Sequence, residues 1–268
     1  MVASSLSISR AWDETRDIFQ RDGKLLVAVA LALIVLPEVV AGLIAPPQPA
    51  AVEVPAFVQF MRLAVGLIAL IGQLALIRLA LGPSTTVGAA IGHGARRFPS
   101  AFGALLIVIF AVAIPLGIIL AAMGVNPQNM AKMPPAAAGV ALIVILAALF
   151  LLVRFTLISP AASAEAIGPI ALLKRSWQLS AGQYWRLLGF IVLLMLAFLV
   201  LVIVAGVIGG LLARVFSPTI EPMSIGALLL SLCAGAAQGA FSILTSVMLA
   251  RIYAQLAGAA PAGAGEAR

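Results

Sequence analysis

Six long apolar stretches divide the chain: Leu25 to Ala45, Val58 to Leu81, Ala104 to Met123, Ala136 to Ile158, Leu187 to Leu212 and Ser224 to Ala250. Each reaches the ~20 apolar residues that a helix needs to cross the hydrocarbon of a bilayer. No stretch alternates apolar and polar residues with the two-residue period of a membrane strand, which argues against a β-barrel. A basic or amphipathic stretch runs straight into the first, third and fifth of these spans, at Lys24-Leu25-Leu26, Gly103-Ala104-Leu105-Leu106 and Trp185-Arg186-Leu187-Leu188. Leu25, Leu105 and Leu187 recur at a period of about 80 residues, and the second, fourth and sixth spans close near Arg78, Arg154 and Arg251. The pattern predicts an all-α integral membrane protein. Its six transmembrane helices form three repeated units of amphipathic helix plus helical hairpin, at about 7–82, 85–159 and 165–257. The expected organisation is an amphipathic cytoplasmic segment over 1–24, one six-span membrane domain over 25–257, and a flexible tail over 258–268.

The stretches before the odd-numbered spans carry helical periodicity. Ile8, Ala11, Trp12, Thr15, Ile18 and Phe19 share one face, opposite Arg10, Asp13, Glu14, Asp17 and Arg21. Val87, Ala90, Ile91, Gly94, Ala95 and Phe98 repeat the spacing, with His93, Arg96 and Arg97 off that face. The third stretch is less regular: Leu172, Leu173, Trp177 and Leu179 alternate with Lys174, Arg175 and Gln178. Helices of this kind can lie in the membrane interface with bases toward phosphates, forming a basic collar that grips lipid. They can equally be connecting helices whose aromatics anchor the interface and whose bases set topology.

Composition agrees with the pattern: 63% of residues are hydrophobic and 9% charged, too few charges to cover a soluble domain of 268 residues. The net charge of +7 raises nucleic acid as a partner, but the placement of the bases argues against it. Of the 16 bases, only Arg62, Lys132 and Arg214 fall on one side of a six-span topology. The rest lie on the side of both termini, which puts that side in the cytoplasm. Basic clusters there favour anionic phospholipid headgroups, at ~1 kcal/mol per base near the surface. The outer connections, Pro46-Pro47-Gln48-Pro49, Pro127 to Pro135 and Ser217 to Pro222, are short and proline-rich. Asp13, Glu14, Asp17 and Asp22 precede an apolar run too long for a signal peptide, so the first span is expected to be permanent. Cys233, mid-span, reads as a small packing residue.

Polar residues within the spans are few. Glu38 sits about 10 Å inside the outer end of the first span, behind Pro37, and Arg62 lies at a similar depth in the second. The two are candidates for a structural ion pair or for a proton or cation transport site. Gln73 and Gln238 are expected to hydrogen-bond between helices. Gly206-x-x-x-Gly210 and Gly235-x-x-x-Gly239 predict close backbone approach, chiefly between the fifth and sixth spans. No constellation for catalysis stands out. His93 has no neighbouring acid or cysteine in sequence, and no phosphate-binding glycine loop, zinc-protease or C-x-x-C motif occurs. The chain is therefore expected to be no enzyme and to hold no metal or cofactor.

The stretch Ile170-Ala171-Leu172-Leu173-Lys174-Arg175-Ser176-Trp177-Gln178-Leu179-Ser180-Ala181-Gly182-Gln183-Tyr184-Trp185-Arg186-Leu187-Leu188-Gly189 resembles the membrane domain of some bacterial glycerophosphodiester phosphodiesterases and of related stand-alone six-span proteins. The segment from Arg154-Phe155 to Pro160, read as a strand-like exit leading to small residues, fits the same pattern. In that family the chemistry resides in a separate soluble barrel, and a chain ending at Arg268 is expected to leave it no room. The resemblance thus implies a membrane module associated with envelope phospholipids in the bacterial inner membrane, without the activity. The leading expectation is a non-enzymatic inner-membrane protein that engages phospholipids through Trp12, Arg96, Arg97, Lys174, Arg175, Trp177, Trp185 and Arg186. The alternatives are a small permease or exporter using Glu38 and Arg62, or a membrane subunit anchoring a separate enzyme. A protein partner or homo-oligomer stays open.

Overall fold

The computed structural model describes residues 6–46, 54–82, 86–124, 135–217 and 221–259. Among these, all regular structure is helical: α1 (Ile8–Ala30), a π turn (Leu31–Val35), α2 (Leu36–Ile44), α3 (Ala56–Leu81), α4 (Val87–Ala122), α5 (Pro135–Phe155), α6 (Ile158–Ala164), α7 (Pro169–Ser180), α8 (Tyr184–Phe216) and α9 (Ile225–Ala259). Six helical stretches are long and apolar enough to cross a membrane: Ile8–Ile44, Ala56–Leu81, Val87–Ala122, Ala137–Ala164, Tyr184–Phe216 and Ile225–Gly258. The protein is a multi-pass membrane protein by this length and composition. Most of the proline-rich outer connections, with Lys132, and the tail beyond Ala259 lie outside the described residues.

Helix α1 runs across residue 24 without interruption. Ser7 caps α1, its Oγ accepting from the Arg10 N–H at 3.3 Å, and the helix then runs unbroken past Leu25. Thr86 caps α4 in the same way, and that helix continues through Pro99 into the span. Only the third amphipathic stretch is a separate helix. There Gly182, at φ +78°, turns the chain between α7 and α8, a left-handed conformation that a Cβ would strain.

The apolar faces of these stretches pack against protein. Ala11, Thr15, Ile18 and Leu26 of α1 are buried, and Thr15 Oγ1 donates to the Ala11 carbonyl (2.7 Å) and contacts Met248 Sδ of α9 (3.2 Å). On α4, Ala90 and Gly94 are buried, and a Cβ at Gly94 would stand 2.6 Å from the Ile71 carbonyl of α3. Leu172, Ser176 and Leu179 bury the inner face of α7. Much of each apolar stripe is therefore spent on the core, while Trp12, Phe19 and Trp177 remain exposed.

The core has two connected parts. One joins α1, α3 and α9 through Leu26, Val29, Leu76, Ile77 and Val247. The other gathers α4, α6, α7 and α8 around the end of α9, through Ala104, Leu157, Leu172, Phe190 and Ile252. Helix α9 lies against α1, the π turn, α2, α3, α6, α7 and α8.

Two expectations need correction. The segment after Arg154 is not strand-like: a turn at Thr156-Leu157 leads into α6, whose Ser159, Pro160, Ala161 and Ala162 are buried. Proline is tolerated in a first helical turn, where its missing N–H has no intrahelical partner, and the alanines after it favour helix. The glycine pair Gly235 and Gly239 does not serve the fifth and sixth spans. A Cβ at these positions would meet Val39 at 3.0 Å and Val35 at 2.5 Å, so the pair lets the first span approach α9. The α8–α9 approach runs instead through Gly209, set against Cys233 and Leu230, while Gly206 and Gly210 face open space.

Candidate functional site

The two ends of the bundle hold different chemistry. At one end, α5, α6, α7, α9 and the starts of α1, α4 and α8 meet. Arg154, in the last turn of α5, lies 4.7 Å from the Trp177 ring centroid and 5.4 Å from that of Phe150, with Tyr184 at 5.9 Å. Its Nη1 donates to Ser180 Oγ at 3.4 Å, and its carbonyl accepts from Ser176 Oγ at 2.8 Å. Arginine is suited to this setting, because a planar guanidinium stacks on aromatic faces while donating in its own plane.

Beside it, Arg175 Nε meets Glu165 Oε1 at 2.8 Å, and the Tyr253 hydroxyl donates to the same oxygen at 2.5 Å. Burial disfavours the charge of Arg175, but the hydrogen bond and charge of Glu165 outweigh it and raise its pKa above the ordinary guanidinium value. The Arg251 guanidinium donates to the Ala80 carbonyl, and His93 Nε2 sits 2.9 Å from the Ser163 carbonyl. Ser163 in turn donates to the Leu74 carbonyl at 3.1 Å. These bonds tie α4, α6 and α3 together, and α7 to α9.

The predicted lipid-facing residues thus fall into two groups. Arg175 is committed to Glu165, and Arg186 donates to the Leu6 carbonyl (3.2 Å) and to Gln183 Oε1 (3.3 Å). Arg96, Arg97 and Lys174 make no hydrogen bond or ion pair among the described residues, and Arg96 and Lys174 are exposed. Trp12, Trp177 and Trp185 are also exposed, the last at 79%. Trp12, Thr15, Arg16, Phe19 and Leu244 line a shallow cleft of about 150 Å³. Glu165, Tyr253 and Ser163 carry most of the organisation here, and no local pattern marks them: their partners lie 10, 88 and 89 residues away.

At the opposite end, Glu38 of α2 and Arg62 of α3 line one cavity of about 370 Å³, with Gly42, Gly66, Ser231 and Gln238 in its wall. They share the space without bonding: the ion pairs among the described residues are Arg10–Glu14, Arg21–Asp22 and Arg175–Glu165. Local helix geometry turns Glu38 to this cavity. Pro37 has no N–H and would crowd the carbonyl of Leu33, and the wider π turn immediately before it relieves both defects. Ser231 Oγ donates to the Leu228 carbonyl at 3.0 Å. A second cavity of about 430 Å³ adjoins the first and holds Gln73. Gln73 and Gln238 thus border cavities, where an interhelical hydrogen bond was expected. Among the described residues, no group of three or more His, Cys, Asp or Glu side chains is placed to hold a metal ion.

The model of the family described as Domain of unknown function (DUF7847) matches residues 6–256. The chain belongs to this family. No curated protein and no solved structure matches it. The matched residues include both the arginine–aromatic cluster and the Glu38–Arg62 cavity of this chain.

Proposed function

We propose that this DUF7847 protein is a non-enzymatic protein of the bacterial inner membrane. Both termini are cytoplasmic, and a collar of uncommitted cations engages anionic phospholipid headgroups in envelope lipid homeostasis or membrane organisation. The observation that carries this reading is the separation of bases at one end into bonded and free. Arg175, Arg186 and Arg251 hold the fold together, whereas Arg96, Arg97 and Lys174 have no hydrogen-bond or ion-pair partner among the described residues, and Trp12, Trp177 and Trp185 are exposed. Free bases near interfacial aromatics suit headgroup contact. The topology rests on the positive-inside bias, and the three-unit organisation on the sequence period. The likeness of residues 170–189 to phosphodiesterase-associated membrane domains favours the same setting.

Native mass spectrometry with lipid identification tests the reading, on protein gently extracted from its own membrane. Wild type should retain an anionic phospholipid selectively, and the Arg96→Gln, Arg97→Gln, Lys174→Gln triple variant should lose that selectivity. Unchanged lipid in the triple variant would reduce the collar to a topology signal. Arg175 is left out of the variant because its neutralisation would also break the bond to Glu165.

A further inference from the structure

We propose that the cleft between α2, α3 and α9 binds a zwitterionic phospholipid, with its headgroup between Glu38 and Arg62 and an acyl chain along the adjoining apolar groove. The two cavities at this end share Ile34, Gly66, Ala69 and Gln238, so they form one trough rather than two holes. Its first half holds the charges. Its second half is walled mainly by Leu67, Leu70, Phe102, Leu105, Ile109 and Phe241. A charged head followed by an apolar channel has the polarity of an amphiphile.

The sign of the charges selects the head. A carboxylate and a guanidinium within a membrane helix bundle lower their energy by pairing, unless something else satisfies both. Here they line one cavity without pairing, Glu38 half-buried and Arg62 exposed on α3. A purely anionic head would leave Glu38 opposed by like charge, and a purely cationic one would oppose Arg62. A head carrying an ammonium and a phosphodiester answers both: the ammonium donates to Glu38, and Arg62 donates to phosphate oxygens. The Gln238 side chain, on the shared wall, has no hydrogen-bond partner among the described residues and offers both a donor and an acceptor.

Glycines shape the trough. A Cβ at Gly42 would lie 2.7 Å from Ser231 Cβ, so its absence draws α2 onto α9 and closes one flank. A Cβ at Gly66, which lines both cavities, would meet nothing within 4 Å, so its absence leaves the interior open. π turns recur at functional sites, and the one at Leu31–Val35 contributes Ile34 to both cavities. This inference does not rest on the collar, which lies at the other end of the bundle.

The test is competitive native mass spectrometry on the full chain in detergent, with equimolar dioleoyl phosphatidylethanolamine and dioleoyl phosphatidylglycerol. A second arm adds soluble glycerophosphoethanolamine, the headgroup without chains. Wild type should retain phosphatidylethanolamine in preference. Glu38→Gln should reduce that preference about tenfold, as expected for loss of one charged hydrogen bond, and should not lower phosphatidylglycerol retention, since it also removes the like charge that opposes an anionic head. Gly66→Leu, which projects a side chain into the trough from a position where a Cβ meets nothing within 4 Å, should lower phosphatidylethanolamine retention at an unchanged melting temperature. No preference in wild type, or a preference that survives both substitutions, overturns the proposal. Competition by glycerophosphoethanolamine as strong as that of the lipid overturns the lipid assignment in favour of a free zwitterion. A preference lost in the Arg96/Arg97/Lys174 variant but kept in Glu38→Gln would move the site to the collar.

Discussion

Helices α3 and α9 on one side, and α4 and α8 on the other, cross the same bilayer under different conditions. Of the most apolar window of α3, 39% is buried in protein, and of α9, 33%; for α4 and α8 the figure is 6%. Hydropathy runs the opposite way. The windows of α8 and α4 have mean hydropathies of 3.4 and 3.0, against 2.2 and 1.8 for α3 and α9. In water the most apolar helix would be the most buried. In lipid the solvent is itself apolar, so the helices facing it carry Leu, Ile, Val and Phe all round. The helices packed inside carry Gly, Ala, Ser and Gln, which let backbones close up. The greasiest spans are the least supported by protein, and the most mixed span is the hub.

The contrast is broken most directly by removing the same side chain from each side. Leu76 of α3 is fully buried, whereas Leu196 of α8 is 56% exposed. Leu76→Ala should cost ~2–5 kcal/mol through lost contacts and a residual cavity. Leu196→Ala, where lipid or detergent fills the space, should change stability by only a few tenths of that. Thermal melting of both variants in one detergent decides it. Equal losses would mean that α8 has a protein neighbour, such as a second copy, along that face.

Glycine sharpens the same contrast at a smaller scale. Gly94 of α4 lets that helix cross α3, with backbone atoms in the way of any Cβ, whereas Gly206 of α8 has nothing within 4 Å. Gly94→Ala should destabilise by ~1–3 kcal/mol, because a carbonyl and not a flexible side chain must move. Gly206→Ala should be neutral or stabilising by up to ~1 kcal/mol, the helix-propensity gain of alanine. A melting temperature that falls for Gly206→Ala would show that the open face is used for close packing.

How legible this was depends on the length scale of the cause. The six spans were readable because a bilayer demands about twenty apolar residues wherever a helix crosses it. Which spans form the core was not, since apolar content reports lipid contact as readily as burial. The glycine pair in α9 announced a close approach but not its partner, and the partner is the first span rather than the fifth. Glu38 and Arg62 could be matched in depth from their places in two antiparallel helices. Depth does not fix the distance between helices, and the gap left open by Gly66 depends on how α2, α3 and α9 pack. The Glu165–Arg175–Tyr253 cluster was invisible because Tyr253 comes from a helix 88 residues away.

Helix α5 stands between the two regimes, and the smallest effect tests it best. Only 17% of the apolar window that includes α5 is buried, yet its last turn is held where Arg154 enters the Phe150, Trp177 and Tyr184 cluster. If that cluster tethers an otherwise lipid-borne helix, Trp177→Leu should act locally. Trp177 is 42% exposed, so the lost cation–π contact is worth ~0.5–1 kcal/mol, too little to move global melting far. The Ser176 Oγ bond to the Arg154 carbonyl would survive the change. Hydrogen exchange should therefore quicken in residues 150–155 of α5 and stay unchanged in α3. Arg154→Lys should do the same, because an ammonium keeps the charge but loses the planar stack and the fork of donors. Quickened exchange throughout the bundle would instead make the cluster part of the common core, and α5 would belong with α3 and α9.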